Sequence, residues 1–93
     1  MKAIFNDVVI AECDTTIVVE GNQYFPPNTV DKSYLEESRT HTTCSWKGEA
    51  AYYHVKVNGE VQQDAAWYYP NPKDAAEKIR GYIAFWKDVK VQK

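Results

Sequence analysis

His41-Thr-Thr-Cys-Ser-Trp-Lys-Gly-Glu-Ala-Ala-Tyr-Tyr53 sets reactive or polar side chains (His41, Cys44, Lys47) among large rings (Trp46, Tyr52, Tyr53) around a single Gly48. Thr40–Trp46 reads as one strand and Glu49–Val57 as a second. Gly48 between them is the natural place for a bulge or bend, because glycine inside a strand often marks one. Asn58-Gly59 follows at once, the strongest short-range hairpin signal in the chain. It should fold Ala51–Val57 back on Glu60–Tyr69. The aromatic run Asp64-Ala-Ala-Trp-Tyr-Tyr-Pro70 then lies beside Tyr52 and Tyr53, and the paired strands can wall a pocket.

Upstream, Lys2–Phe5 and Val8–Glu12 are short β-rich runs joined by Asn6-Asp7. Both linking residues tolerate positive φ, which suits a type I′ hairpin. Asp14-Thr15 reads as a turn, Thr16–Glu20 as a β-branched strand, and Gly21-Asn22 as a tight link into Gln23–Phe25. Pro26-Pro27 lacks ladder donors and ends that strand. Asn28–Ser38 shows no β pattern, and Val30, Tyr34 and Leu35 fit one short turn of helix. Downstream, Asn71 can cap a helix with Pro72 at its first position, Ala75, Ala76 and Ile79 as its apolar face, and Gly81 as its left-handed stop. Tyr82–Trp86 and Val89–Val91 are closing strands with Lys87-Asp88 as their turn. The expectation is a mainly β single domain over residues 1–93, with one short α-helix near 72–80 packed on one side.

Composition narrows the function classes. Ninety-three residues, 44% hydrophobic and 26% charged, suit one globular domain. Aromatics make up 14%, enough to fill a small core and also to line a site. The net charge of −2 comes with scattered Lys and Arg and no basic stripe, which argues against nucleic acid. No apolar run approaches the ~18 residues of a membrane span, and no signal-peptide pattern opens the chain. Two cysteines without an export signal read as free thiols in the cytoplasm. No Cys-x-x-Cys is present, and His41-x-x-Cys44 offers two ligands where a tetrahedral site needs three or four, so neither metal nor cofactor is expected. A phosphate loop of the Gly-x-x-x-x-Gly-Lys kind is missing too.

Strand alternation puts Cys44 and Trp46 on one face and Ser45 and Lys47 on the other, with His41 on the face opposite Cys44. Cys44 as a nucleophile would need a cation such as Lys47 or Arg39 to lower its pKa from about 8.5. Its alternative role is a small buried hydrophobe. Lys47, beside an aromatic wall, suits an anionic ligand or stacking on a ring. Partial burial would depress its pKa and make it a base. Tyr53, Val55 and Val57 form the better core set, leaving Tyr52, His54 and Lys56 on the other face. Trp67 and Tyr69 share a face, with Tyr68 opposite. The candidate pocket therefore uses Trp46, Tyr52 and Trp67 or Tyr69 as walls, Lys47 and Arg39 for an anionic group, and Tyr24 or His41 for orientation.

Four strings carry a family resemblance: Glu20-Gly-Asn-Gln-Tyr-Phe-Pro-Pro27, Thr42-Thr-Cys-Ser-Trp-Lys-Gly48, Ala65-Ala-Trp-Tyr-Tyr-Pro70 and Gly81-Tyr-Ile-Ala-Phe85. Together they resemble a bacterial family called domain of unknown function 427, also labelled nucleotidyltransferase-like, from about Met1 to Val91. The resemblance implies a β-tent (Mss4-like) topology. Zinc-binding relatives of that topology use Cys-x-x-Cys knuckles that this chain lacks, so zinc is not carried over. The family pattern Cys-Pro-Trp-Lys-Gly has Ser45 in place of its proline here. Nucleotidyl transfer needs an Asp-x-Asp or Asp-x-Glu pair for Mg²⁺ beside a Gly-Ser turn. This chain has no Gly-Ser and no Asp-x-Asp, and that mechanism is rejected. The leading expectation is a cytosolic module, monomeric or weakly dimeric, binding a small anionic molecule around Cys44–Lys47. The alternatives are an enzyme using Cys44 as nucleophile or Lys47 as base, and a protein-interaction domain.

Overall fold

Tight turns organise the chain, and a computed structural model describes all residues 1–93. Strands β1 (Lys2–Phe5) and β2 (Val8–Glu12) coincide with the expected ones, and Asn6 and Asp7 between them have φ of 50° and 64°. Positive φ at both central residues is the type I′ requirement, which matches the twist of the flanking strands. Strands β3 (Ile17–Val19) and β4 (Asn22–Tyr24) turn through Glu20-Gly21, at φ 53° and 80°. The turn therefore sits one residue earlier than the expected Gly21-Asn22, and Asn22 joins the strand.

Strands β5 (Leu35–Cys44), β6 (Gly48–Val57), β7 (Glu60–Tyr68) and β8 (Ile83–Phe85) form an antiparallel sheet in that order, while β9 (Lys90–Gln92) pairs with β1 in the sheet β2-β1-β9. The β3–β4 hairpin hangs on the larger sheet through Phe25, which exchanges two backbone hydrogen bonds with Ile83 at 2.8 and 2.9 Å. The fold is mainly β and a single unit. No helix is long and apolar enough to cross a membrane.

Side-chain alternation splits the core into two clusters on the two faces of the larger sheet. Val55, Val57, Ala66, Ile83 and Phe85 meet Phe5 and Ile10 of the smaller sheet on one face. Tyr24, Ala50, Tyr69, Ile79 and Ala84 form the other, with Tyr52 and Trp67 packed against it. The partition of Tyr52 from Tyr53, and of Trp67 and Tyr69 from Tyr68, follows the sequence reading. Tyr53 and Tyr68 stack at 4.8 Å on the first face.

Three elements differ from expectation. The strand placed at Thr40–Trp46 runs Leu35–Cys44 instead, and Ser45-Trp46-Lys47 is a turn, so strand alternation does not govern Trp46 or Lys47. Asn28–Ser38 contains two 3-10 turns, Pro27–Thr29 and Lys32–Tyr34, before β5 begins. The helix expected near 72–80 is 3-10 rather than α, spans Asp74–Ile79, and departs from helical angles at Ala76 (φ −118°, ψ 18°). Six residues are too few to recover the nucleation cost of an α-helix. The expected cap is also engaged elsewhere, Asn71 accepting from Arg80 at 3.4 Å, and just after Pro72 the Lys73 N–H donates to the Lys47 carbonyl at 2.9 Å.

The bulges also lie away from Gly48. Ser38, Arg39 and Thr40 of β5 oppose the single Tyr52 of β6, and Gln63, Asp64 and Ala65 of β7 oppose the single His54. Asp64, at φ 52°, ties the two irregularities together. Its carboxylate accepts from Ser38 Oγ at 2.5 Å and Thr40 Oγ1 at 2.8 Å, and its N–H donates to His54 Nδ1 at 3.0 Å.

Candidate functional site

The turn Ser45-Trp46-Lys47 is held against the segment leading into the last 3-10 turn. Lys73 contributes twice, its N–H to the Lys47 carbonyl and its ammonium to the Ser45 carbonyl at 2.7 Å. Gly48 follows at φ 108°, where a side chain would be strained, and a Cβ would meet the backbone of Asn71–Lys73 at 3.4–3.6 Å. Gly48→Ala is expected to lower the unfolding free energy by about 1–2 kcal/mol, read from urea denaturation. An unchanged midpoint would mean the backbone there relaxes without strain.

This docking turns Lys47 inward, and only 6% of it is exposed. Its ammonium pairs with the Glu20 carboxylate and stands 5.4 Å from the ring centre of Trp46 and 5.5 Å from that of Tyr69. A cleft of about 280 Å³ opens beside it, lined by Asn22, Lys47, Tyr52, Trp67, Tyr69 and Trp86. Tyr24, fully buried, accepts the Trp67 indole N–H at 3.1 Å and packs edge-on against that ring. Trp86 packs edge-on against the same ring from outside, with its own N–H on the Asp64 carbonyl. Tyr52 shares a hydrogen bond of 2.9 Å with Thr42. These contacts hold the walls in fixed orientations before anything binds.

Charge states follow from the contacts. Burial alone would push the Lys47 ammonium down, but its hydrogen bond to Glu20 and the nearby Tyr24 and Tyr69 outweigh burial and hold it above its ordinary value. The expected depression of Lys47 toward a base is thus reversed, and the side chain is a cation at neutral pH. Glu20 is held below the usual carboxylate range, chiefly by its hydrogen bond from Lys47. Burial raises the phenols of Tyr24 and Tyr69, which stay neutral.

A family model described as Domain of unknown function (DUF427) matches residues 1–93. The chain belongs to this family. Among curated proteins, none matches it. Within the string Cys44-Ser-Trp-Lys-Gly48, the geometry separates the residues by task. Gly48 makes the bend, Lys47 enters the cleft, and Trp46, on the turn, stacks on Lys47 from outside. Ser45 is exposed and anchored by its carbonyl.

Of the candidate residues, Lys47, Tyr52, Trp67 and Tyr69 converge on the cleft, Tyr24 is buried against Trp67, and Trp46 does not line it, its exposed ring reaching only the Lys47 ammonium. Cys44 is partly buried and packs against the second core cluster without lining the cleft. Arg39 is exposed in the β5 bulge, and His41 is exposed on β5 with its Nδ1 3.8 Å from Glu49. Neither is part of the cleft. Sequence reasoning missed Glu20, Asn22 and Trp86. Trp86 ends an aromatic run and could have been found there. Glu20 meets Lys47 across 27 residues, and no local pattern signals that pairing.

Proposed function

We propose that this domain binds a small anionic molecule in the cleft beside Lys47. One observation carries the reading: a lysine almost wholly withdrawn from water, its ammonium between two rings, forms part of a ring-lined hollow. Burying a cation is unfavourable unless something pairs with it. A site that keeps one there, against walls oriented by their own hydrogen bonds, has the make-up of ligand pockets: mostly apolar lining and a few fixed polar groups. Lys47 supplies charge and position and takes no proton-transfer role. Cys44 lies off the cleft and is given none either.

Thermal-shift measurements with a panel of small carboxylates, phosphates and neutral aromatics test this on wild type and Lys47→Ala. A ligand present at about 100 times its Kd stabilises by about 2.7 kcal/mol. For a domain of this size that corresponds to a rise in Tm of roughly 11–22 °C. The rise is expected from an anionic compound on wild type and should vanish in Lys47→Ala. No shift from any anion, or an equal shift in both proteins, would remove this function.

A further inference from the structure

Three hairpins turn through two residues of positive φ: Asn6-Asp7, Glu20-Gly21 and Asn58-Gly59. Two of them place asparagine first, a residue whose short side chain makes the left-handed region accessible. The third places Glu20 there, at φ 53°, without that advantage. Lys87, at φ 58°, is the other such residue outside Asn, Asp and Gly, and its ammonium is likewise engaged, on the Gln63 carbonyl. Backbone strain points to a task for the side chain. The Glu20 side chain crosses to Lys47, so its task is in the cleft.

We propose that Glu20 stands in for the ligand. The cleft takes a flat monocarboxylate whose carboxylate displaces that of Glu20 from Lys47 while its ring lies against Tyr52 and Trp67. This rests on the binding reading above and adds the ligand class and its competitor. Lys47 is the one cation among the lining residues, and one ammonium matches one negative charge. A phosphate monoester brings nearly two charges, more than the single ammonium of the lining balances, and no guanidinium lines the cleft to add a second cation. The volume of about 280 Å³ sits at the lower limit of ligand pockets and admits one or two fused rings. The Glu20 side chain is 52% exposed, so on release it moves directly into water. Lys47 meanwhile exchanges one carboxylate for another and is never left buried without a partner. A neutral ring compound cannot offer that exchange.

Three probes of one shape make the test: 2-naphthoate, 2-naphthamide and 2-naphthyl phosphate, titrated calorimetrically into wild type, Glu20→Gln and Glu20→Gly. Glycine suits the positive φ, so Glu20→Gly keeps the turn intact if Glu20→Gln fails to fold. If Glu20 holds Lys47 about nine-tenths of the time or more, removing it should tighten naphthoate binding at least about tenfold, with no such gain for naphthamide. Equal naphthoate affinity in all three proteins overturns the displacement and leaves the cleft as a binding site. An equal gain for naphthamide, or naphthyl phosphate as the tightest probe, overturns the carboxylate class. No binding of any probe to any of the three proteins overturns this inference and the function it rests on.

Discussion

Phe25→Ala is expected to remove about 3–5 kcal/mol of unfolding free energy. A 93-residue domain has roughly 5–14 kcal/mol in total, at ~0.05–0.15 kcal/mol per residue. The side chain is fully buried, packs edge-on against Phe85 at 5.6 Å, and belongs to the first core cluster. Its backbone holds the β3–β4 hairpin to Ile83 on the edge of the larger sheet. Truncation therefore opens a cavity where the backbone of the segment after the hairpin carrying Glu20 and Asn22 joins the larger sheet. Urea denaturation followed by tryptophan fluorescence measures the loss. A cost below about 1.5 kcal/mol would show that the neighbouring side chains collapse into the space and that the joint does not depend on this ring.

Asp64→Ala should cost about 2–3 kcal/mol, since two hydroxyl donors lose a charged acceptor and the left-handed position loses a residue suited to it. The carboxyl is held below its ordinary value of 3.8, first by the hydrogen bond from Ser38 and then, against a smaller opposing effect of burial, by Thr40. A carboxylate favoured in the folded state stabilises fully above the unfolded pKa of about 3.9 and stops doing so as pH falls through the lower folded value. Stability should decline with acidification below about pH 4 in wild type. In Asp64→Asn, which retains the backbone preference but not the charge, that acid limb should be shallower. Identical acid limbs in the two proteins would show that Asp64 does not stitch β5 to β7.

Local chemistry was legible where it acts within a few residues. Asn6-Asp7 and Asn58-Gly59 announce their turns, and the β-branched runs around them mark β1, β2 and β6. Alternation in β6 and β7 correctly divided Tyr52 and Trp67 from Tyr53 and Tyr68. What escaped depends on partners far away in the chain. Glu36-Glu37-Ser38 has no strand pattern of its own because β5 is a polar edge, recruited by the ladder that β6 presents. The segment after Pro72 carries helix signals that lose to a backbone hydrogen bond from Lys73 to Lys47. Ser45-Trp46-Lys47 gave the impression of a continuing strand because its turn is stabilised by that same distant segment. Four walls of the cleft could be named from aromatic and basic residues close together in sequence. Asn22 could not, since it reaches the cleft from another hairpin, and Trp86 was signalled only by the aromatic run that it ends.

The pairing of Lys47 with Glu20 has an electrical consequence. Equal and opposite charges in contact cancel within a short distance, so the resting site projects almost no potential into the surrounding solution. The pair therefore contributes no long-range steering, and a ligand of the proposed kind would meet the mouth of the site without its help. For the proposed ligand, discrimination would thereby be postponed until the molecule is close enough to contest the ammonium.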